Sequence, residues 1–327
     1  MLEGYEYEFV ANVSKDPGTR KYNGIVNPAL LGRLQEFAPD AVLVNGWNFK
    51  SHLQCLRYFH GKIPVWFRGD STLLDQQTSF KQLARKMILT WVFKHVDIAL
   101  HVGTANKAYF KSYGLPEKQL LFAPHAVDNI RFAAKPRYLA DAAELTTSLG
   151  IDPDAIIFLF AGKLEPKKDP LLLLSAFKNL QQYPAQLIFV GNGVLEEMLK
   201  KEAAGATNIH FLDFQNQQQM PAVYAMADVF ILPSKGPGET WGLAVNEAMA
   251  AGKAVLVSTA CGCVQDLVND GVNGWIFTAG DAADLQKKMQ AIPADKSALA
   301  EMGKNGSKKI HSFSFEKIAL AIEAGMG

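Results

Sequence analysis

The chain has 327 residues, 49% hydrophobic and 20% charged, and its 33 Lys+Arg against 32 Asp+Glu leave a net charge of +1. That mixture fits a globular protein of about two domains at ~150 residues each; it excludes disordered, collagenous and coiled-coil chains and argues against a whole-protein nucleic-acid binder. Three cysteines are too few for a disulfide framework, no apolar run reaches the ~20 residues of a membrane span, and the opening Met1-Leu2-Glu3-Gly4-Tyr5 is too acidic for a signal peptide, so a soluble cytoplasmic protein is expected.

Taken in chain order, short apolar or β-branched runs alternate with longer amphipathic patterns. A helix over 27–37 leads to a strand at 41–45, then helix 49–60, strand 64–67, helix 81–95, strand 97–101, helix 104–113 and strand 119–123. The pattern restarts after a Pro-containing stretch at 132–136. New strands are expected at 155–161, 186–190, 208–211, 229–232, 254–257 and 274–277. The helices between them fall at 170–182, 194–204, 218–227, 242–251 and 282–291. A last helical segment, 313–324, carries Phe315, Ile318, Ala319 and Ile322 and has no strand after it.

A parallel strand pair needs a crossover connection, so this alternation predicts an α/β chain with parallel sheets covered on both faces. Two series imply two Rossmann-like, doubly wound domains facing a cleft: residues 1–133, residues 134–310, and a C-terminal helix over 311–327 that packs on either. Nothing before residue 41 reads as a strand followed by a Gly-rich turn and a helix, so the first domain is expected to lack its opening strand–loop–helix unit.

The halves differ in charge. Residues 1–133 hold 16 Lys+Arg and 11 Asp+Glu, residues 134–327 hold 17 and 21. A basic first domain suits an acidic substrate or an anionic membrane surface, and chance on solvated faces gives the same numbers. The helix at 81–95 mixes Lys81, Arg85, Lys86 and Lys94 with Leu83, Met87, Ile88, Trp91 and Val92. Interfacial membrane binding and ordinary core packing both fit that pattern.

Chemistry concentrates in two places. After the strand at 229–232 comes Pro233-Ser234-Lys235-Gly236-Pro237-Gly238-Glu239-Thr240-Trp241, with a helix starting at Gly242. A Gly-rich loop there leaves backbone N–H groups at a helix N-terminus, which suits a diphosphate. Glu239 and Glu247 lie eight apart, a little over two helical turns, and two carboxylates so placed accept hydrogen bonds from sugar and ribose hydroxyls. The strand at 155–161 ends in Gly162-Lys163-Leu164-Glu165-Pro166-Lys167-Lys168-Asp169. Lys163 and Lys168 thus stand where parallel sheets place ligands, able to close on two phosphates; a solvated basic turn is the plain alternative.

Together, Gly162-Lys163…Lys168, Glu239-x7-Glu247 and Val257-Ser258…Gly262-Cys263…Asp266-Leu267-Val268…Gly271…Asn273-Gly274 resemble glycosyltransferase family 4, retaining enzymes of the GT-B fold. Gly103-Thr104…Tyr109…Tyr113-Gly114…Pro124…Val127-Asp128-Asn129…Phe132 is similar to the family's interdomain approach. The resemblance runs from about residue 40 to the C-terminus and implies transfer of a sugar from a nucleotide-diphosphate sugar to a glycan, lipid or small-molecule acceptor, without metal or cofactor. By position it implies that Glu247 holds the ribose and Glu239 the donor sugar. Lys163, at a place where the family often has Arg, and Lys168 would bind the diphosphate. Thr240, Trp241 and the amides of Gly242 and Leu243 would complete the donor cradle, and 211–214, with Phe214, would wall the base. The resemblance further implies that the departing phosphate takes the acceptor proton, so that the carboxylates would act as positioning groups.

Two departures stand out. Asp70, in Arg68-Gly69-Asp70-Ser71, falls near a His that many members carry, so Asp70 or Arg68 is expected to touch donor sugar or acceptor, unless this is only a surface turn. The missing opening unit favours a second reading, a catalytically impaired or non-catalytic sugar-nucleotide-binding partner subunit. Gly191-Asn192-Gly193 reads as a tight turn or a phosphate contact, Asp152-Pro153-Asp154 as a turn, and Cys261 and Cys263 lack partners at zinc spacing. Of seven His, His101 and His125 lie at strand ends near the cleft.

Overall fold

The structure, a computed structural model, describes all residues except 1–3, 20, 75–79, 181–183 and 327, and leaves the side chains of 80 and 81 undescribed. The last two residues of the helix expected at 170–182 lie outside the described residues. In chain order the first part comprises α1 (Leu30–Phe37), β1 (Val42–Asn45), α2 (Lys50–Phe59), β2 (Val65–Arg68), α3 (Phe80–Phe93), β3 (Ile98–His101), α4 (Thr104–Ser112), β4 (Leu120–Phe122) and the short α5 (Asn129–Phe132). The second comprises α6 (Pro136–Ser148), β5 (Ile156–Ala161), α7 (Pro170–Lys178), β6 (Ala185–Val190), α8 (Glu196–Glu202), β7 (Ile209–Leu212), α9 (Met220–Met226) and β8 (Val229–Leu232). It continues through α10 (Leu243–Ala250), β9 (Ala254–Ser258), α11 (Val264–Leu267), β10 (Gly274–Phe277), α12 (Ala282–Gln290), α13 (Lys296–Ile310) and α14 (Phe315–Met326).

All ten expected strands are present, in two parallel sheets ordered β1-β2-β3-β4 and β10-β9-β8-β5-β6-β7. Strand β5, Ile-Ile-Phe-Leu-Phe-Ala, is buried along its whole length, as a central parallel strand covered on both faces must be. Its side chains alternate: Ile157 and Leu159 join Phe132, Tyr224, Val245 and Met249 on one face. Ile156, Phe158 and Phe160 join Leu173, Phe177, Leu285 and Met289 on the other. The first sheet has its own core, including Leu56, Phe67, Leu89, Val92 and Phe110.

Two longer helices were absent from the sequence reading. Helix α6 starts on Pro136, whose missing N–H costs nothing at the first helical position, but buries only Tyr138 and Ala142, so its apolar stripe is thin. Helix α13 starts behind Asp295, which accepts from the Ser297 N–H, and contains Gly303 and Gly306, which read locally as breakers. A Cβ on Gly303 would stand 1.8 Å from the Gly252 carbonyl oxygen, so this glycine serves close packing of helix on backbone. Helix α14 returns to the first sheet, where Ile318, Ala321 and Ile322 pack on Trp66, Leu100 and Ala123.

Candidate functional site

The second sheet reverses its winding between β5 and β8: the chain runs outward through β6 and β7, then crosses to β8 and continues through β9 and β10. The carboxyl ends of two strands at such a switch point splay their loops apart and leave a crevice. The two loops here are those singled out by sequence, Gly162–Asp169 after β5 and Pro233–Gly242 after β8. The first loop and the start of α10, which follows the second, line a cleft of about 500 Å³ with Lys163, Lys168, Leu243 and Glu247 on those elements, joined by Phe214 after β7 and Tyr224 in α9; Glu239, Thr240, Trp241 and Gly242 do not line it.

The Lys168 ammonium lies 2.5 Å from Glu239 Oε2, which also accepts from the Ser234 hydroxyl at 2.9 Å. Glu239 is buried, and Lys168 is its ion-pair partner. Lys163 is exposed at the mouth and forms no ion pair among the described residues. Glu247, in the second turn of α10, accepts from the Tyr224 hydroxyl at 2.7 Å. Burial raises the Glu247 carboxyl above its ordinary range, and hydrogen bonds from Tyr224 and Gln217 oppose the rise. Tyr224 is wholly buried, and burial beside that carboxylate pushes its own pKa well up. The positive end of α10 meets the cleft at Leu243 and Ala244.

The structure corrects several expectations. Glu239 sits in the loop before α10, so helical spacing does not relate it to Glu247; Glu247 lines the cleft, whereas Glu239 is buried on Lys168, which does. The Trp241 ring does not face the cleft. It is buried against His125 and Phe313, and its indole N–H donates to Asn246 Oδ1 at 2.8 Å. Phe211 turns inward and stacks on Phe189 at 5.3 Å, leaving Phe214, largely exposed, as the member of 211–214 that lines the cleft. The Arg68 guanidinium is engaged with the carbonyls of Ala123 and Pro124, both at 3.1 Å, and so fixes the loop before His125. His101 lies apart, its ring on Phe122 and its Nδ1 buried without a hydrogen-bond partner among the described residues.

Contacts between the two domains run through residues whose partners no local pattern marks. Thr240 Oγ1 donates to Asp70 Oδ2 at 2.7 Å, and His125 Nε2 lies 3.8 Å from the same oxygen. His125 first and Thr240 next hold the Asp70 carboxyl below its usual range, against partial burial. Asn246 Nδ2 donates to the His125 carbonyl at 3.0 Å. Asp266, in α11, accepts from the N–H and hydroxyl of Thr104 at 2.9 and 2.7 Å, capping α4 from the other domain. Asn246 was readable only as part of an apolar helix, and Tyr224 carried no polar neighbour in sequence.

The lesser motifs also resolve. A Cβ on Gly191 would meet the Gly162 carbonyl oxygen at 2.2 Å, so Gly191-Asn192-Gly193 is a turn pressed onto the β5 loop, and Gly191 and Asn192 line the cleft as well. Asp152 caps its own turn by accepting from the Asp154 N–H. Cys261 and Cys263 are buried core thiols.

Residues 141–309 match the family model described as glycosyl transferases group 1. The chain belongs to that family. It is 25% identical to the sulfoquinovosyl transferase SQD2 of Arabidopsis thaliana over 88% of this chain and 56% of the relative. It is 33% identical to the D-inositol 3-phosphate glycosyltransferase of Geodermatophilus obscurus over 62% of this chain and 46% of the relative. This chain thus spans about half the length of those curated relatives. Among solved structures it superposes on Anabaena HepE in complex with UDP at a TM-score of 0.75, with 19% identity over 92% of this chain and 82% of that one. It superposes on sucrose-phosphate synthase from Thermosynechococcus elongatus at 0.73, with 22% identity over 91% and 75%. The fold of the group 1 chain is therefore GT-B.

Proposed function

We propose that this chain is a retaining, metal-independent family 4 transferase that moves a sugar from a nucleotide-diphosphate sugar to an acceptor hydroxyl. The observation that carries the reading is the meeting of Lys163, Lys168 and Glu247, with Glu239 on Lys168, at the switch point of the second sheet. Two cations and a helix N-terminus fit a diphosphate, and two held carboxylates fit hydroxylated rings. HepE, of the same fold, carries UDP and UDP-glucose in its crystal structures, which makes uridine nucleotides the first donors to try.

In this reading Glu247, aimed by Tyr224, accepts from the ribose hydroxyls, and Glu239, fixed by Lys168 and Ser234, meets the sugar. Lys163 and Lys168 neutralise the diphosphate, the amides of Gly242 and Leu243 complete its cradle, and Phe214 lies beside the base. The acceptor arrives from the first domain, where a cavity of about 270 Å³ lined by Trp47, Asn48, Asp70, Arg85 and Tyr109 sits beyond β1 and β2. The bond from the anomeric carbon to the phosphate oxygen breaks as the acceptor oxygen bonds on the same face, and the acceptor proton passes to the departing phosphate oxygen. The free, buried Cys55, Cys261 and Cys263 support a reducing, cytoplasmic location.

Thermal-shift measurements with UDP, GDP, ADP and their sugars test the donor, since a ligand bound to the native state raises its melting temperature. One nucleotide family is expected to stabilise the wild type, and Lys163→Ala with Glu247→Ala to abolish the shift. Stabilisation without release of free nucleotide in the presence of any acceptor, or by slow hydrolysis, would assign the chain to a binding subunit. No shift with any nucleotide would overturn the reading.

A further inference from the structure

We propose that the outward face of α3 is a docking surface for a bilayer of anionic phospholipid. A helix that merely lines a core turns its apolar residues inward and its polar ones out. Helix α3 buries Leu89, Val92 and Phe93 against the first sheet, yet a second apolar stripe points to solvent: Leu83 is 60% exposed, Met87 64%, Ile88 49% and Trp91 42%. Leu83, Met87 and Trp91 follow each other at intervals of four, with Ile88 beside them, so they form one continuous ridge. The core-packing alternative for this segment required these four side chains inside, and they are not.

The rim selects the occupant. Lys86 is exposed on the same helix and Lys94 in the turn directly after it, and the Arg57 guanidinium lies 5.5 Å over the Trp91 ring. From residue 76 to residue 96 the sequence contains no Asp or Glu. A second copy docking about a two-fold axis would press these cations against their own images, whereas anionic headgroups meet them with opposite charge while the ridge enters the acyl boundary. The same helix turns Arg85 into the cavity beside Asp70, so a chain resting on α3 holds the first-domain side of its cleft near the lipid surface. The surface is independent of the donor site and stands or falls separately from it.

The test is co-sedimentation of the whole chain with vesicles of phosphatidylcholine alone and with about 30% phosphatidylglycerol. Binding to the anionic vesicles only, weakening as salt rises, is expected. Leu83→Glu with Met87→Glu should cut the partition by at least about tenfold, and Lys86→Glu with Lys94→Glu similarly, with nucleotide-induced thermal shifts retained. A second arm uses brominated lipid, which should quench the wild-type tryptophan emission and leave Trp91→Phe less quenched. No partition to anionic vesicles, equal partition of wild type and Leu83→Glu/Met87→Glu, or a lipid-free dimer abolished by that pair would overturn the proposal; the last would make the face an interface between copies.

Discussion

Replacing Lys168 by Met separates what that residue does for the fold from what it does for a ligand. Glu239 keeps 7% of its side-chain surface and Lys168 18%, so removing the cation strands a nearly dry carboxylate with the Ser234 hydroxyl as its remaining described partner. Breaking a buried pair from one side costs about 3–5 kcal/mol; the partial exposure of Lys168 puts the expected loss near the lower end, roughly 3 kcal/mol. Adding Glu239→Gln removes the stranded charge and keeps the shape, so the double variant should return to within about 1 kcal/mol of the wild type. Diphosphate affinity should behave differently: a lost charged contact weakens binding by ~1.5–3 kcal/mol, about 10- to 100-fold, and Glu239→Gln does not restore it. Urea denaturation reads the first quantity and calorimetric titration of the stabilising nucleotide the second. A double variant as unstable as Lys168→Met, or one that regains nucleotide affinity together with stability, would refute this division of roles.

Glu247→Ala should weaken donor binding by about 1–3 kcal/mol in the same titration, and unchanged binding would remove Glu247 from the ribose. Because burial raises the Glu247 pKa and its carboxylate is the acceptor of hydroxyl protons, donor affinity should fall as pH drops through that raised value. Tyr224→Phe, which deletes a hydrogen bond that lowers it, should move the fall to higher pH. By linkage the protonated form is the one the fold favours. Its contribution to stability is complete below the ordinary glutamate range and is lost as pH rises through the raised pKa, which urea titrations of Glu247→Gln across pH can check. Asp266→Ala should cost about 1 kcal/mol, since it uncaps α4 across the domain contact, read as a lower urea midpoint. The three thiols are buried, with Cys55 pushed up to about 11 and Cys261 to about 12, so a thiol reagent should label them only in denaturant.

Strand order along the chain was legible because central parallel strands are continuous apolar runs bounded by turn residues, and β5 and β8 follow that rule from end to end. Helices were legible where an apolar stripe repeats. They were not where it thins, as in α6, or where glycines serve a neighbouring backbone, as at Gly303 in α13. The loops after β5 and β8 were marked by composition alone: lysines, glycines and carboxylates gathered at strand ends have a chemical meaning without any coordinates.

The sequence by itself thus determined the alternation of strand and helix, the two sheets, and which residue types reach the switch point. Partnership was decided only in three dimensions. That Lys168 is bound to Glu239, Glu247 to Tyr224, Thr240 to Asp70 and Thr104 to Asp266 depends on segments from 23 to 170 residues apart along the chain. Trp241 went inward, and the Leu83–Trp91 ridge outward, for a related reason. Periodicity gives the angle between side chains on one element, whereas the side that becomes interior is set by whatever the rest of the chain lays against it.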